Sequence, residues 1–186
     1  MHKYNMSSFP AISQFHTLVF DFDGIFTDNK VVVNQNGIES VCCDRSDGLG
    51  FNMLRSYLSN SHSIPDILIV SRESNQIAQK RAQKLQIPCY LNIKNKLEFL
   101  KVYLQRAEDS NMNGVLYAGN DLNDYAVMRV VGYSVAPQDA HPLILKIASK
   151  VLPKNGGDGF VRLLIEKLIG IDGYSEEKLI ELIHNC

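Results

Sequence analysis

Short apolar runs alternate with segments of helical hydrophobic spacing along most of the chain, and this alternation limits the possible folds most strongly. The apolar runs lie at 17–20, 67–70, 89–91, 115–118, 133–135 and 151–152. The segments between them predict helices at 49–58, 75–85, 96–107, 124–130 and 142–148. Strands and helices in alternation predict a three-layer α/β fold with a mainly parallel, Rossmann-like sheet and helices on both faces.

One segment departs from the alternation. Two apolar stretches, 30–33 and 38–42, flank Asn34-Gln35-Asn36-Gly37. An Asn-Gly pair between such stretches predicts a β-hairpin. Two interpretations of this hairpin stay open: an ordinary edge hairpin, or a flap that covers a site or contacts another copy of the chain.

The 186 residues fit a single domain, 1–186, that is long enough to bury a core. Residues 1–14 contain no apolar run and are expected to form a loosely ordered lead-in. Residues 171–186 are expected to form a C-terminal helix or tail, with Ser175 as the N-cap of an amphipathic helix.

Composition excludes several classes of protein. The hydrophobic fraction of 45% and the charged fraction of 21% are those of a soluble globular domain. A formal net charge of −1 provides no overall basic field for nucleic acid or a membrane surface. The four cysteines have no C-x-x-C spacing, and no segment has the length and apolarity of a membrane span. We therefore expect a reduced, cytoplasmic protein.

Polar side chains follow the predicted strands where the strands end. They are Asp21 and Asp23, Ser71, Lys96 at the start of a helix, and the acidic segment Gly119-Asn120-Asp121-Leu122-Asn123-Asp124. The carboxyl ends of parallel strands meet at one edge of the sheet, where ligands bind, so these groups are expected to lie together.

The grouped residue types suit phosphoryl transfer. A carboxylate can attack phosphorus, and a second carboxyl can protonate the leaving group. A hydroxyl and an ammonium can hold the phosphoryl oxygens, while carboxylates can hold Mg²⁺. Taken singly, each residue is more often a solvated lysine, a turn serine or an acidic turn, so the prediction depends on the ordered set.

These stretches resemble the four motifs of the haloacid dehalogenase superfamily of phosphatases. The likeness covers almost the whole chain and is greatest to the branch of octulosonate 8-phosphate and nonulosonate 9-phosphate phosphatases. That branch also includes the phosphatase-like domain of CMP-acylneuraminate synthetases. Shared features include Asp47-Gly48-Leu49-Gly50 and the glycine-rich segment that precedes Arg162.

The resemblance implies roles for the motif residues. Asp21 is implied to be the nucleophile and a Mg²⁺ ligand, and Asp23 the general acid/base whose backbone carbonyl also meets the metal. Ser71 and Lys96 are implied to hold the phosphate. The acidic segment is implied to complete the metal site through Asn120, Asp121 and Asp124.

The spacing of the motifs leaves no room for a cap domain. Only the hairpin and one helix fit between Asp23 and Ser71, and only a helix and a short strand fit between Ser71 and Lys96. An open site disfavours phosphoryl transfer because water has free access. The resemblance implies a homotetramer in which the hairpin, 30–42, and the tail after Gly156 cover sites of neighbouring copies.

Four residues are candidates for substrate binding by the same resemblance. Glu73 stands where the nine-carbon branch has glutamate, and Arg81 and Lys84 match basic positions near the sugar-acid carboxylate. Arg162 is a candidate to reach a neighbour's site. A guanidinium facing a carboxylate is physically reasonable because it can bind in a bidentate manner.

Three residues depart from the family pattern. Asn120 replaces an aspartate, Arg72 a glycine, and Leu163 a glutamate. The motifs and the resemblance together favour a Mg²⁺-dependent phosphatase of a nonulosonate 9-phosphate, such as an acylneuraminate. Two alternatives stay open: a weakly active or non-catalytic module that assembles with a CMP-sugar-acid synthetase, and an octulosonate 8-phosphate phosphatase.

Overall fold

A computed structural model describes residues 9–59, 63–106, 111–184 and 186. A six-stranded sheet in the order β5-β4-β1-β6-β7-β8 forms its centre, and every pairing in it is parallel. Its strands are β1 (Thr17–Phe20), β4 (Asp66–Val70), β5 (Cys89–Tyr90), β6 (Val115–Ala118), β7 (Tyr133–Pro137) and β8 (Lys150–Leu152). The predicted α/β class and parallel sheet are confirmed.

Helices cover both faces of the sheet. They are α1 (Ser46–Leu58), α2 (Ile77–Leu85), α3 (Lys96–Arg106), α4 (Tyr125–Met128), α5 (Pro142–Ile147), α6 (Phe160–Ile169) and α7 (Glu176–His184). Six of them, all except α6, match predicted helices to within a few residues. Ala107, the predicted last residue of the third helix, lies outside the described residues.

Alternation along the central strand divides the core into two layers. Leu18 and Phe20 of β1 face a cluster that contains α1, α2 and α6. Val19, between them, faces a second cluster formed with α3, α4 and α5. Successive strand residues point to opposite faces, so a strand covered on both faces is apolar throughout. Burial on both faces accounts for the apolar run from Leu18 to Phe20, and Thr17 is buried as well.

The position of β1 between β4 and β6 places the polar motifs together. Chain segments leave the sheet on either side of β1, which makes its carboxyl end a topological switch point. The N–H of Asp21 donates to the carbonyl of Ala118 at 2.9 Å, so the first acidic motif begins directly at this point.

The predicted hairpin forms, but with shorter strands. Strands β2 (Val32–Val33) and β3 (Glu39–Ser40) make a separate antiparallel pair. The Asn34 side chain accepts the N–H groups of Asn36 and Ile38, which stabilises the turn. No cap domain is present in the described part of the chain between β1 and α3, as the spacing predicted.

Helix α6 was not predicted, and it changes the interpretation of the segment after Gly156. Its residues Phe160, Val161, Leu164 and Ile165 are fully buried, and the helix packs against α1. This part of the tail therefore contributes to the core of its own subunit. The covering of a neighbouring copy by the tail stays a prediction.

The two ends of the described chain also pack on the core. Ile12 and Phe15 are buried, within and beside the expected lead-in, while residues 1–8 lie outside the described residues. At the other end, the Ser175 hydroxyl accepts the N–H of Lys178 as the predicted N-cap of α7. Leu182 of α7 is buried, and its carbonyl accepts a bond from Ser56 on α1.

No helix within the described residues has the length and apolarity needed to cross a membrane.

A buried carboxylate joins α1 to α6. Asp47 is 0% exposed, and its Oδ1 accepts the N–H of Arg162 in the first turn of α6 at 3.1 Å. Its Oδ2 has no hydrogen-bond partner. Burial raises the pKa of the Asp47 carboxyl to about 7, although the Arg162 N–H opposes this shift. The group is therefore neutral in the folded chain under conditions where it ionises in the unfolded chain.

We predict that Asp47→Asn increases stability more at pH 8 than at pH 5. A carboxyl whose pKa rises on folding stabilises the fold below its unfolded pKa and loses that contribution as pH rises through about 7. Between those values the wild type should lose roughly 1.4 kcal/mol per pH unit. The asparagine does not titrate and keeps an oxygen for the Arg162 N–H.

Urea unfolding from pH 5 to 8 measures the effect, with Asp158→Asn at an exposed position as the control. Parallel pH profiles for the wild type and Asp47→Asn would contradict the prediction.

Candidate active site

The floor of the site is a buried network of two carboxylates and one ammonium. Lys96, the first residue of α3, places its Nζ 2.7 Å from Asp21 Oδ1 and 2.7 Å from Asp124 Oδ1. All three side chains are at least nine-tenths buried. Burial alone would lower the pKa of Lys96, but Asp21 and Asp124 raise it above its usual value. Lys96 is therefore a permanent cation at the carboxyl end of β1.

Asp124 is held by the protein at both oxygens. Oδ1 accepts the Tyr117 hydroxyl at 2.7 Å in addition to Lys96, and Oδ2 accepts the N–H groups of Asn120 and Asp121. Tyr117 lies on β6, is 1% exposed, and was not identified from the sequence. A tyrosine in a buried parallel strand must bond its hydroxyl to a partner, and that was the available signal.

Asp21 keeps one oxygen free of protein bonds. Its Oδ1 accepts the N–H of Phe22 as well as Lys96, both at 2.7 Å, and no described residue bonds to Oδ2. Burial raises the pKa of Asp21, and Asp124 adds to that rise, whereas Lys96 opposes it.

Asp23 lies two residues further along, at the cavity. Burial raises the pKa of the Asp23 carboxyl, with Glu73 and Glu39 adding to the rise and Lys96 opposing it. A carboxyl with a raised pKa is suited to donate a proton, because its acid form persists closer to neutral pH. The two aspartates therefore differ in environment: one contacts an ammonium, and the other faces carboxylates.

Gly24 allows the turn that brings Asn120 against this pair. Its φ is +76°, and a Cβ at this position would collide with the side-chain amide of Asn120. Asn120 is buried, and its Oδ1 has no hydrogen-bond partner. An unpartnered buried oxygen is costly, which is the state expected of a group that binds a cation.

These oxygens fit a magnesium site of low protein charge. No cluster of three or more His, Cys, Asp or Glu side chains suited to a metal occurs in the described ranges. Mg²⁺ commonly takes one or two carboxylates and retains several waters. The Asp21 carboxylate and the unpartnered Asn120 Oδ1 are oxygens of this kind. Asp121 is exposed, and its carboxylate accepts the N–H of Leu122.

An open cavity of about 690 Å³ lies above this floor. The base of the hairpin forms one wall through Asn29, Val31, Glu39 and Val41. The Asn75 side-chain amide, just before α2, donates to Glu39 Oε2 at 2.9 Å and fastens the hairpin to the opposite wall. The hairpin therefore stands beside the predicted catalytic residues.

The predicted substrate-binding residues separate into two groups. Glu73 lines the cavity, whereas Arg81, Lys84 and Arg162 are not among its lining residues. Arg81 donates to the carbonyl of Asp44 at 2.6 Å, and Arg162 pairs with Glu166 on its own helix at 2.7 Å. Ser71 is buried, and its hydroxyl accepts the N–H of Glu73.

A second cavity, of about 710 Å³, lies along α3 and has no part in this network. Three rings that contact one another line it, those of Tyr90, Phe99 and Tyr103. It contains none of the predicted catalytic carboxylates, so the smaller cavity is the candidate active site.

Comparison with protein families gives one match that covers more than half of the chain. Residues 56–164 match the family described as haloacid dehalogenase-like hydrolase. The matched segment contains β4, α3, β6 and the first turns of α6, with Ser71, Lys96 and the Gly119–Asp124 loop.

Individual relatives match a larger share of the chain than the family does. The chain is 32% identical over 161 residues to the 3-deoxy-D-manno-octulosonate 8-phosphate phosphatase of Escherichia coli strain K12, covering 86% of this chain and 82% of the relative. A crystal structure of a putative HAD family hydrolase from Streptomyces avermitilis superposes with a TM-score of 0.80 at 33% identity, covering 90% and 99% of the two chains. The octulosonate phosphatase of Yersinia pestis gives a TM-score of 0.75 at 30% identity, covering 85% and 82%.

We predict that Tyr117→Phe destabilises the fold by about 2 kcal/mol, since a hydrogen bond to a buried carboxylate is lost without a replacement. The ring remains, so no cavity forms in the β6 layer. Tyr125→Phe is the matched control, because the structure shows no bond from the Tyr125 hydroxyl to a described residue.

Urea unfolding of the three proteins measures the difference. Equal stability of Tyr117→Phe and Tyr125→Phe would show that the Tyr117–Asp124 bond contributes nothing to the network.

Proposed function

Because the chain belongs to the haloacid dehalogenase-like hydrolases, we propose that it is a Mg²⁺-dependent phosphatase that hydrolyses a phosphorylated sugar acid through an aspartyl-phosphate. Relatives and family together identify a phosphoric monoester hydrolase. The observation that carries the proposed mechanism is the buried Lys96 bridge, which holds Asp21 at the cavity floor with Oδ2 free.

The first half of the reaction uses both aspartates. Asp21 Oδ2 attacks phosphorus, and the bond between phosphorus and the sugar oxygen breaks. Asp23 donates its proton to that oxygen, which its raised pKa favours. Lys96 and the Ser71 hydroxyl, whose proton is free to be donated, hold the phosphoryl oxygens.

The second half restores the enzyme. Asp23, now ionised, takes a proton from a water molecule, which attacks the phosphorus of the aspartyl-phosphate. Phosphate leaves, and Asp21 regains its carboxylate. The same carboxyl therefore acts first as acid and then as base.

Asp21, the Asp23 carbonyl and Asn120 Oδ1 are the proposed ligands of Mg²⁺. When bound, the ion supplies positive charge that offsets the phosphoryl oxygens and the carboxylates around them. We assign Asp124 to positioning Lys96, because both of its oxygens are already bonded within the protein.

The proposed substrate is a nonulosonate 9-phosphate of the acylneuraminate type. Glu73 supports this choice, since the nine-carbon branch has glutamate at this position and the side chain lines the cavity. The second candidate is 3-deoxy-D-manno-octulosonate 8-phosphate, the substrate that the names of the Escherichia coli and Yersinia pestis relatives give.

A substrate panel with and without Mg²⁺ tests the proposal. We predict turnover of N-acetylneuraminate 9-phosphate only with Mg²⁺, at a higher kcat/KM than for 3-deoxy-D-manno-octulosonate 8-phosphate. Asp21→Asn should reduce kcat at least about 1,000-fold, because an amide is not a nucleophile. Asp28→Asn, an exposed acid that does not line the cavity, is the control.

Two results would contradict the proposed phosphatase function. Full activity of a folded Asp21→Asn would exclude the aspartyl-phosphate. Absence of Mg²⁺-dependent turnover on every sugar-acid phosphate, together with binding to a CMP-sugar-acid synthetase, would favour the alternative of a non-catalytic assembly module.

We also propose that the hairpin joins copies of the chain into a homotetramer that covers each cavity. Val31, Val32, Val33 and Ile38 are 48%, 70%, 60% and 60% exposed. A two-stranded sheet with free edges and exposed apolar residues favours association. Its base already lines the cavity, so a second copy on the hairpin would also shield the site from water.

Val32→Glu should therefore dissociate the assembly and lower kcat/KM, as measured by sedimentation velocity and kinetics. Ile64→Glu is the matched control, because Ile64 is 66% exposed and precedes β4, at the opposite end of the sheet from the cavity. A wild-type protein that sediments as a monomer would refute this arrangement.

A further inference from the structure

The cavity wall is unusually acidic for a site that accepts an anion. Five carboxylates and a single cationic side chain line the cavity. The acids are Asp21, Asp23, Glu39, Glu73 and Asp121, and the cation is Arg72. A phosphorylated sugar acid brings a phosphate dianion and a carboxylate into this field. Each of those groups needs positive charge nearby, or the repulsion opposes binding.

Three other cations, Lys96, Arg81 and Arg162, do not line the cavity. Lys96 belongs to the buried floor and pairs there with two carboxylates. Arg81 donates from one terminal nitrogen to the Asp44 carbonyl, although its Nε is buried without a partner, and Arg162 pairs with Glu166. Among the residues that the structure describes, these three groups therefore leave the substrate carboxylate without a counter-charge from within the subunit.

Arg72 is different because its guanidinium makes no hydrogen bond or ion pair with any described residue. Its backbone is nevertheless fixed on both sides. The Ser71 N–H donates to the Tyr90 carbonyl at 2.9 Å, the Glu73 N–H donates to Ser71 Oγ at 3.1 Å, and the Asn92 N–H donates to the Glu73 carbonyl at 2.9 Å. An anchored backbone thus presents a free cation at the cavity.

We propose that Arg72 binds the carboxylate of the sugar acid and so selects substrates that carry a carboxylate in addition to the phosphate ester. The planar guanidinium matches a carboxylate through two parallel hydrogen bonds. The proposal rests on the phosphatase function proposed above and extends it to substrate choice. Arginine, rather than the usual glycine, at this position then adds a recognition element.

Steady-state kinetics on two substrates test the role. Arg72→Ala should raise KM for N-acetylneuraminate 9-phosphate about 10- to 100-fold, as expected for a lost charge-assisted pair. The change in kcat should stay small. With p-nitrophenyl phosphate, which has no carboxylate, KM should change less than about threefold. Arg72→Lys should restore part of the loss, and Lys80→Ala, an exposed cation outside the cavity, should resemble the wild type.

Calorimetric binding of free N-acetylneuraminate and free 3-deoxy-D-manno-octulosonate separates this proposal from the phosphatase function, because it needs no turnover. Weaker binding to Arg72→Ala supports the role even if no phosphate ester is hydrolysed. Equal affinities for the wild type and Arg72→Ala would overturn it even in an active enzyme. Equal losses on both kinetic substrates would also overturn it, since Arg72 would then serve the phosphate.

Discussion

The ion-paired Lys96 is the interaction on which the site depends. A buried ammonium is tolerated only with good partners, and here two carboxylates lie 2.7 Å from it. Asp21 directly follows β1, Asp124 lies in the loop that follows β6, and Lys96 is the first residue of α3. The bridge therefore fixes β1, β6 and α3 relative to one another while it positions a carboxylate at the cavity.

Charge balance explains much of what surrounds this bridge. The buried Asp124 carboxylate requires an opposite charge and hydrogen-bond donors. Lys96 provides the charge, and Tyr117 and two backbone N–H groups provide further hydrogen bonds. The cavity above has a surplus of carboxylates and the unpartnered Asn120 oxygen. A divalent cation together with an anionic substrate is complementary to this arrangement. Either of them alone would leave part of the charge in the cavity uncompensated.

Local patterns predicted the sheet and most helices, because strands buried on both faces have continuous apolar runs and helices have their own period. These local patterns did not predict α6. Its first residues follow a glycine-rich segment and, from the sequence, they were assigned to the tail. Four of its first six residues are fully buried against other elements, so its stability depends on packing with α1. The hairpin strands are shorter than predicted. Their length is set by pairing across the turn, which joins only two residues on each strand and which the apolar stretches alone do not reveal.

By itself, the sequence determined the fold class and the set of motif residues. The carboxyl ends of parallel strands lie at one edge of the sheet, so polar residues that follow these strands are brought together in any such fold. The tertiary structure decided which of those groups face the cavity. Asp124 turned out to be bonded within the protein, Arg81 and Arg162 were engaged elsewhere, and Arg72 lined the cavity. Side-chain direction and charge pairing depend on neighbours distant in sequence, so spacing along the chain does not determine them.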